Sequence, residues 1–227
     1  MVWRDRRRRR GAAPLWKGTP MHARSTTIMA TPDSIDAGVA FIRDEVMQML
    51  MDMDGCIGLS MLVDRSSGRC ITTSAWQDQD SMRASAERLQ PVRERAAEMM
   101  GGGAPEVEEW EIALLHRDHT TGSGACVRAT WVRMDPQQVD RAVDIYKNVT
   151  LPAIEGYDGF CSASLLIDRQ NGRAVSSVTF DSREAMDRNR ERAQEVRKQT
   201  VAEMNGEVTD VAEFELALAH LRVPELV

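Results

Sequence analysis

The sequence lacks most of the features that announce a common chemistry. No apolar run approaches the roughly 20 residues that a membrane-spanning helix needs. There are four cysteines, Cys56, Cys70, Cys126 and Cys161, and none belongs to a C-x-x-C pair. That spacing excludes a zinc knuckle and gives no disulfide framework, so free, partly buried thiols are expected. No G-x-S-x-G or H-E-x-x-H motif occurs. "GGGAP" (101–105) and "TTGSGA" (120–125) lack the lysine of a phosphate loop. The basic N-terminus has no apolar stretch of a secretion signal, and a cytoplasmic protein is expected.

The charge is one-sided once the N-terminus is set apart. Residues 1–22 hold six arginines and one lysine against Asp5 alone, and are expected to form a disordered basic tail, absent if translation starts at Met21. The remainder has 22 basic and 34 acidic residues, a net charge of −12. An acidic body is a poor surface for nucleic acid, whose phosphates are bound mainly by Lys and Arg. No specific nucleic-acid partner is expected.

What is present is a duplication. "MLVDRSSGR" (61–69) returns as "LLIDRQNGR" (165–173), and the likeness runs without a gap from Arg24–His116 to Arg128–His220. About 27 of roughly 93 columns are identical at a constant shift of 104 positions. Each copy has the hydrophobic pattern of β-α-β-β-α-β. The strand "RSTTIMA" (24–30) precedes an amphipathic helix carrying Ile35, Val39, Ile42, Val46 and Leu50 on one face. In the second copy Val139, Val143, Tyr146 and Ile154 play that part, with Pro152 expected to break the last turn. "MQMLMDMD" (47–54) scatters its methionines around that helix, which favours adaptable core packing.

"DRSSGR" and "DRQNGR" are hairpin turns, in which Asp64 and Asp168 can bond the turn backbone. Arg65, Arg69, Arg169 and Arg173 are expected to be solvated or paired locally. A second helix follows "WQDQDS" and "FDSRE", whose Asp and Ser suit N-caps. The last strands are "VEEWEIALLH" and "VAEFELALAH". The expected organisation is a tail at 1–22, repeats at 23–117 and 127–222, a linker at 118–126 and a C-terminal tail at 223–227. The expected fold is α+β: two ferredoxin-like β-α-β-β-α-β repeats packed sheet to sheet.

"DGFCSASLLIDRQNGRAVSSVTFDSREAM" (158–186) and "DGCIGLSMLVDRSSGRCITTSAWQDQDSM" (54–82) resemble the central stretch of antibiotic-biosynthesis-monooxygenase (ABM) domains, of the dimeric α/β-barrel superfamily. The tandem arrangement is similar to actinobacterial conserved proteins of no established function. The resemblance implies that the two halves form, inside one chain, the barrel that relatives make as homodimers. A monomer with an intrachain pseudo-dimer, or a homodimer, is expected. It also implies either a cofactor-independent monooxygenase or binder of a small aromatic or quinone-like molecule, or a non-catalytic, stress-related or interaction protein that keeps the fold only. Haem-degrading members pair an Asn on the first strand with a His and a Trp near the second helix. "RSTTIMA", "RATWVRM" and both second helices lack these residues, so no haem and no other cofactor is expected.

Candidate site residues are the duplicated polar and aromatic positions. Glu111 and Glu215 are candidate bases, each on the same strand face as Glu109 and Glu213. Arg24 and Arg128 begin the neighbouring strand and are candidate partners for these carboxylates. His116 and His220, at matching strand ends, are candidate bases or ligands. Trp76 and Phe180 could wall a pocket for a flat molecule. His119 lies in the linker without fixed geometry relative to His116, and no metal site is expected. Trp131 stands where the first copy has Thr27, so the two pockets need not be equivalent.

Overall fold

The computed structural model of the chain describes residues 20–221 and 225–226. The expected basic tail thus lies outside the described residues up to position 19, as does most of the C-terminal tail. The first repeat comprises β1 (His22–Met29), α1 (35–51), β2 (Cys56–Val63), β3 (Arg69–Trp76), α2 (Gln79–Ala84), α3 (Ala86–Met99) and β4 (Glu106–Arg117). The second comprises β5 (Cys126–Arg133), α4 (139–155), β6 (Phe160–Asp168), β7 (Arg173–Phe180), α5 (Arg183–Arg188), α6 (Arg190–Glu203) and β8 (Glu207–Leu221). No helix among the described residues is long and apolar enough to cross a membrane.

The eight strands close into one antiparallel barrel in the order β1-β3-β2-β8-β5-β7-β6-β4. Each repeat supplies four neighbouring strands in the ferredoxin-like order. The seams lie at β2–β8 and β4–β6, and the two long last strands make them. β4 pairs β1 through Glu106–Glu111, then crosses to pair β6 through Glu111–Arg117. β8 does the same, pairing β5 up to Glu215 and β2 beyond it. The sheets therefore meet at their edges, and closure leaves no free edge to aggregate.

Alternation then decides which side chains face the lumen. Trp110, Ile112, Leu115, Ala23, Ile57, Ala75 and Val175 form one buried lumen cluster. Ile71, Ala129 and Phe214 form another. The opposite face carries the helices. In the first repeat Ile35, Phe41, Ile42, Val46 and Leu50 of α1 pack on Leu59, Met61 and Val63 of β2. Burial of each large side chain there contributes about 1.5–3 kcal/mol.

Local chemistry sets the turns. Asp64 accepts bonds from the Ser66 amide (2.9 Å) and the Ser67 hydroxyl (2.6 Å), and Asp168 accepts from the Asn171 amide (3.1 Å). Gly68 has a φ of +80°, and a Cβ there would lie 2.2 Å from the Ala30 carbonyl oxygen, so no other residue fits this turn. The helices after β3 and β7 start as expected, capped by Asp78 on the Ser81 amide (2.7 Å) and Ser182 on the Ala185 amide (3.2 Å). Two expectations are corrected. α4 does not break at Pro152 but continues to Glu155, after a π-wound turn at Tyr146–Thr150 that has a twin in α1 at Ile42–Val46. The hairpin arginines are not merely solvated or locally paired. Each crosses to the other repeat: Arg65 to Glu215 (2.9 Å), Arg69 to Asp210 (2.5 Å), Arg169 to Glu111 (2.7 Å) and Arg173 to Glu108. The duplicated phrase is thus a pair of clasps across the seams as well as a pair of turns.

Candidate functional site

Each repeat has a cavity between its sheet and its helices, at equivalent positions but of different size. The second repeat holds about 90 Å³, the first about 40 Å³. The second-repeat cavity is walled by Phe180, Leu165, Val178, Val196 and Met204, with Arg128, Tyr146, Tyr157 and Arg197 as its polar lining. Tyr157 and Phe180 stack in parallel with ring centres 6.2 Å apart. The cavity is thus mainly apolar, with two arginines in its lining.

The π-wound turn of α4 supplies part of this lining. Such turns recur at functional sites because they shift the helix face by one residue. Here Tyr146 and Thr150, at its two ends, both open into the cavity. The Tyr146 hydroxyl is 2.7 Å from Ser176 Oγ, and Thr150 Oγ1 is 2.8 Å from Thr200 Oγ1. Burial pushes the Tyr146 phenol up to about 12, against a smaller opposite effect of Ser176. Burial likewise raises the Tyr157 phenol, so neither tyrosine is a base near neutral pH.

Arg128 is 6 % exposed. Its Nε and Nη2 donate to Glu213 Oε1 (3.1 and 2.9 Å), and Nη2 also donates to the Met186 carbonyl oxygen (3.1 Å). Its Nη1 is buried with no partner among the described residues, and so is the Tyr157 hydroxyl. Leaving a buried donor unpaired costs about 1–3 kcal/mol, more for a charged one. Arg197 adds a second cation, lowered by its own burial and then by the nearby Arg128 charge. In the first repeat the corresponding arginine is satisfied: Arg24 donates to Ser85 Oγ (3.1 Å) and to Glu109 (2.7 Å). Asn189 replaces Ser85 in the second repeat and turns its amide to the Asp158 and Ala185 carbonyls (3.0 and 2.8 Å).

The structure separates the other sequence candidates. Phe180 lines the second cavity, whereas Trp76 is fully buried in the first-repeat core, its Nε1 donating to Ser74 Oγ (2.9 Å). Arg24 and Arg128 meet Glu109 and Glu213 as expected, on the helix-bearing face. Glu111 and Glu215 face instead Arg169 and Arg65, and neither lines the cavity of either repeat. Burial tends to raise the Glu213 carboxyl, but Arg190 and Arg128 outweigh it and hold that carboxyl below the usual range, the reverse of a carboxylate tuned to take a proton. His116 Nε2 lies 2.9 Å from Glu155; Nδ1 lies 2.9 Å from Glu225 without the alignment of a hydrogen bond. Its ring stacks on Phe160 at 6.1 Å, outside the cavity. His220 Nε2 is buried without a partner among the described residues. Trp131 points into the lumen, edge-on to Phe214 and under Arg69, so it does not cause the difference between the cavities. Tyr146, read from sequence only as part of a helix face, and Tyr157 and Arg197 were not singled out as site residues. The signal available was their divergence from Ile42 and Met53, and the match of Arg197 to Arg93.

A closed barrel of two ferredoxin-like repeats, each with a cavity under its helices, has the dimeric α/β-barrel fold, here completed within one chain. Comparison of sequences gives two relatives in Mycobacterium tuberculosis H37Rv, the uncharacterised proteins Rv2557 and Rv2558. Rv2557 is 58% identical over 219 residues, covering 96% of this chain and 97% of the relative. Rv2558 is 58% identical over 212 residues, covering 93% and 89%. The chain belongs to the family of these mycobacterial proteins. No family model matches the sequence. Among solved structures, an anthrone oxidase-like protein superposes with a TM-score of 0.64 at 14% identity, over 93% of this chain and 97% of that one. A monooxygenase-like protein of Listeria innocua gives 0.53 at 10% identity, over 90% and 98%. At such identities the likeness is one of fold.

Proposed function

We propose that the protein binds a small aromatic or quinone-like molecule, as its anion, in the second-repeat cavity, and oxidises it with O₂ without a cofactor. The observation that carries this reading is the pair of donors without partners among the described residues, Arg128 Nη1 and the Tyr157 hydroxyl, on residues that line a mainly apolar cavity. An oxyanion satisfies both, while the ring fills the space beside Phe180. Apolar cavities of about 150 Å³ bind benzene. The 90 Å³ here therefore selects a single ring, seated with small shifts of the walls. Cations in the lining lower the pKa of a bound phenol or quinol, so the substrate is held ionised with no dedicated protein base. A quinol anion is electron-rich enough to reduce O₂ directly. One oxygen atom enters the ring, the other leaves as water, and the quinol is converted to a hydroxyquinone. The monooxygenase-like and anthrone oxidase-like names of the structural neighbours are consistent with this chemistry.

A specific observation favours the second reading, a binder without catalysis: the cavity offers no side chain whose proton affinity suits a base near pH 7. Two measurements separate the readings. Binding is followed with 4-nitrophenol, whose visible absorbance reports its ionisation. Turnover is followed as O₂ uptake with 1,4-hydroquinone above the autoxidation background. Wild type should bind 4-nitrophenolate and consume O₂, and Phe180→Trp should lose both. Binding without O₂ uptake would favour the non-catalytic reading. No binding of the phenolate would overturn the proposal. We place the protein in the cytoplasm as a monomer whose barrel is complete in one chain.

A further inference from the structure

We propose that His119, Cys161 and Asp181 form a site for a divalent transition-metal ion of the zinc type, at the mouth of the barrel lumen. The three residues come from three segments: the inter-repeat linker, β6 and the end of β7. Their ligand atoms all lie within 4.8 Å of one another. His119 Nε2 is 2.8 Å from Asp181 Oδ1, and the Cys161 thiol donates to the same oxygen at 3.1 Å. Zinc bonds of about 2.0–2.3 Å place tetrahedral ligands about 3.5 Å apart, so the trio needs only small adjustments. Thiolate, imidazole and carboxylate together are the donor set that zinc and cobalt favour over calcium or magnesium.

The backbone holds these ligands in place before any ion arrives. The amides of Asp118 and His119 both donate to the Cys161 carbonyl oxygen, at 2.9 and 3.4 Å, and tie the linker to β6. The Asp181 amide donates to the Gly159 carbonyl oxygen at 2.9 Å. Cys161 sits at a bulge where β6 shifts register against β7, a device that re-aims a side chain. The same bulge exists in the first repeat, and there Ile57 fills the lumen core. The counterpart of Asp181 is Gln77. So two positions that lack ligand chemistry in one repeat both acquire it in the other, side by side. Asp118 Oδ2, 2.8 Å from His119 Nδ1, completes a carboxylate–histidine arrangement behind the ligand.

Three protein ligands leave a coordination position for water or a bound molecule. His119 also lines the lumen cavity of about 300 Å³, together with Thr120 and Thr121 of the same linker. An ion here would pin the linker across that opening. Binding is a proton exchange: the ion takes the Cys161 sulfur as the thiolate and His119 through its Nε2 lone pair, and the displaced protons pass to solvent. No redox step is involved. The site shares no residue with the second-repeat cavity and does not depend on the function proposed for it.

The test uses full-length, tag-free protein stripped with a chelator, reloaded with Zn²⁺ or Co²⁺ and desalted. About one ion per chain should remain, and the Co²⁺ form should show a thiolate-to-cobalt charge-transfer band. Cys161→Ser should lose the band, and Asp181→Asn and His119→Ala should each weaken binding by at least about tenfold, while Cys70→Ser keeps it. Asp118→Ala should weaken it roughly 10–100-fold. Circular dichroism checks that each variant is folded, and should Cys161→Ser misfold, Asp181→Asn decides alone. Failure of the wild type to retain metal, or retention unaffected by these substitutions, would overturn the proposal.

Discussion

Position for position, the first repeat narrows the space under its helices to about 40 Å³ where the second leaves about 90 Å³. Ile42, Met53, Trp76 and Leu89 in one copy stand where Tyr146, Tyr157, Phe180 and Ala193 stand in the other. The first set is buried, apolar and bulky. The second is smaller at two places and carries two phenols. The backbone is the same in both, down to the π-wound turn. What differs is the treatment of one arginine. Arg24 has Ser85 as an acceptor, and Arg128 has lost that acceptor to Asn189. One copy is thus the more tightly filled, and the other keeps a charged donor without a partner among the described residues next to a larger cavity. Duplication allows this division, because a well-packed first half stabilises a barrel whose second half can afford a costly site.

The comparison breaks most directly at Arg128. Arg128→Gln should weaken 4-nitrophenolate binding by roughly 10–100-fold, the scale of a lost charged hydrogen bond, whereas Arg24→Gln should leave binding unchanged. Equal effects of the two substitutions, by titration calorimetry, would mean that the repeats do not differ as described. Ala193→Leu, which copies Leu89 into the second repeat, should close the cavity and abolish binding while changing stability by at most about 1–3 kcal/mol in denaturant unfolding. Tyr157→Phe should weaken binding about tenfold yet raise the stability of the ligand-free protein by up to about 1–3 kcal/mol, because it removes a buried hydroxyl that has no partner among the described residues.

Smaller effects sharpen the comparison at the seams. Arg65→Gln and Arg169→Gln should each destabilise by no more than about 1 kcal/mol, since the pairs they break are half-exposed. Both variants should still unfold in one transition, because β4 and β8 tie each half to the other. Two separated transitions would show that the repeats are independent units. Glu213 gives a pH signature. Its folded-state carboxyl is held below the unfolded value of 4.5, so its stabilisation is present above that value and is lost as pH falls through the folded one. Glu213→Gln should therefore flatten the loss of stability on acidification, as followed by thermal unfolding between pH 6 and pH 3.

Much of the fold was legible in the residues. The constant shift of 104 gave the two units, hydrophobic periodicity gave their elements, and Asp64, Gly68 and their twins gave the hairpins. The site was legible only in part. Arg128, Phe180 and Glu213 drew notice because they are duplicated and unlike their neighbours in character, and the structure puts Arg128 and Phe180 in the lining of the second-repeat cavity, with Glu213 paired to Arg128. Tyr146 was passed over as a site residue because a phenol at helical spacing reads as core, and the π-wound turn that aims it has no sequence marker; Tyr157 lies beyond the end of that helix, where no pattern marks it. Glu111 and Glu215 read as candidate bases with Arg24 and Arg128 as candidate partners, because the guanidinium groups they meet, on Arg169 and Arg65, lie 58 and 150 positions away in the chain.

The sequence by itself determined the repeat, the order of elements within it, the turn chemistry and the acidic body, since all of these rest on local pattern and composition. Only the tertiary structure decided that β4 and β8 divide their pairing between halves, that Trp110 and Phe214 fill the lumen, and that the hairpin arginines cross the seams. It alone brought His119, Cys161 and Asp181 together. The physical reason is barrel closure. Strand register across the two seams fixes which distant side chains share a face, and no local propensity encodes a register between strands about 50 residues apart at one seam and about 160 at the other.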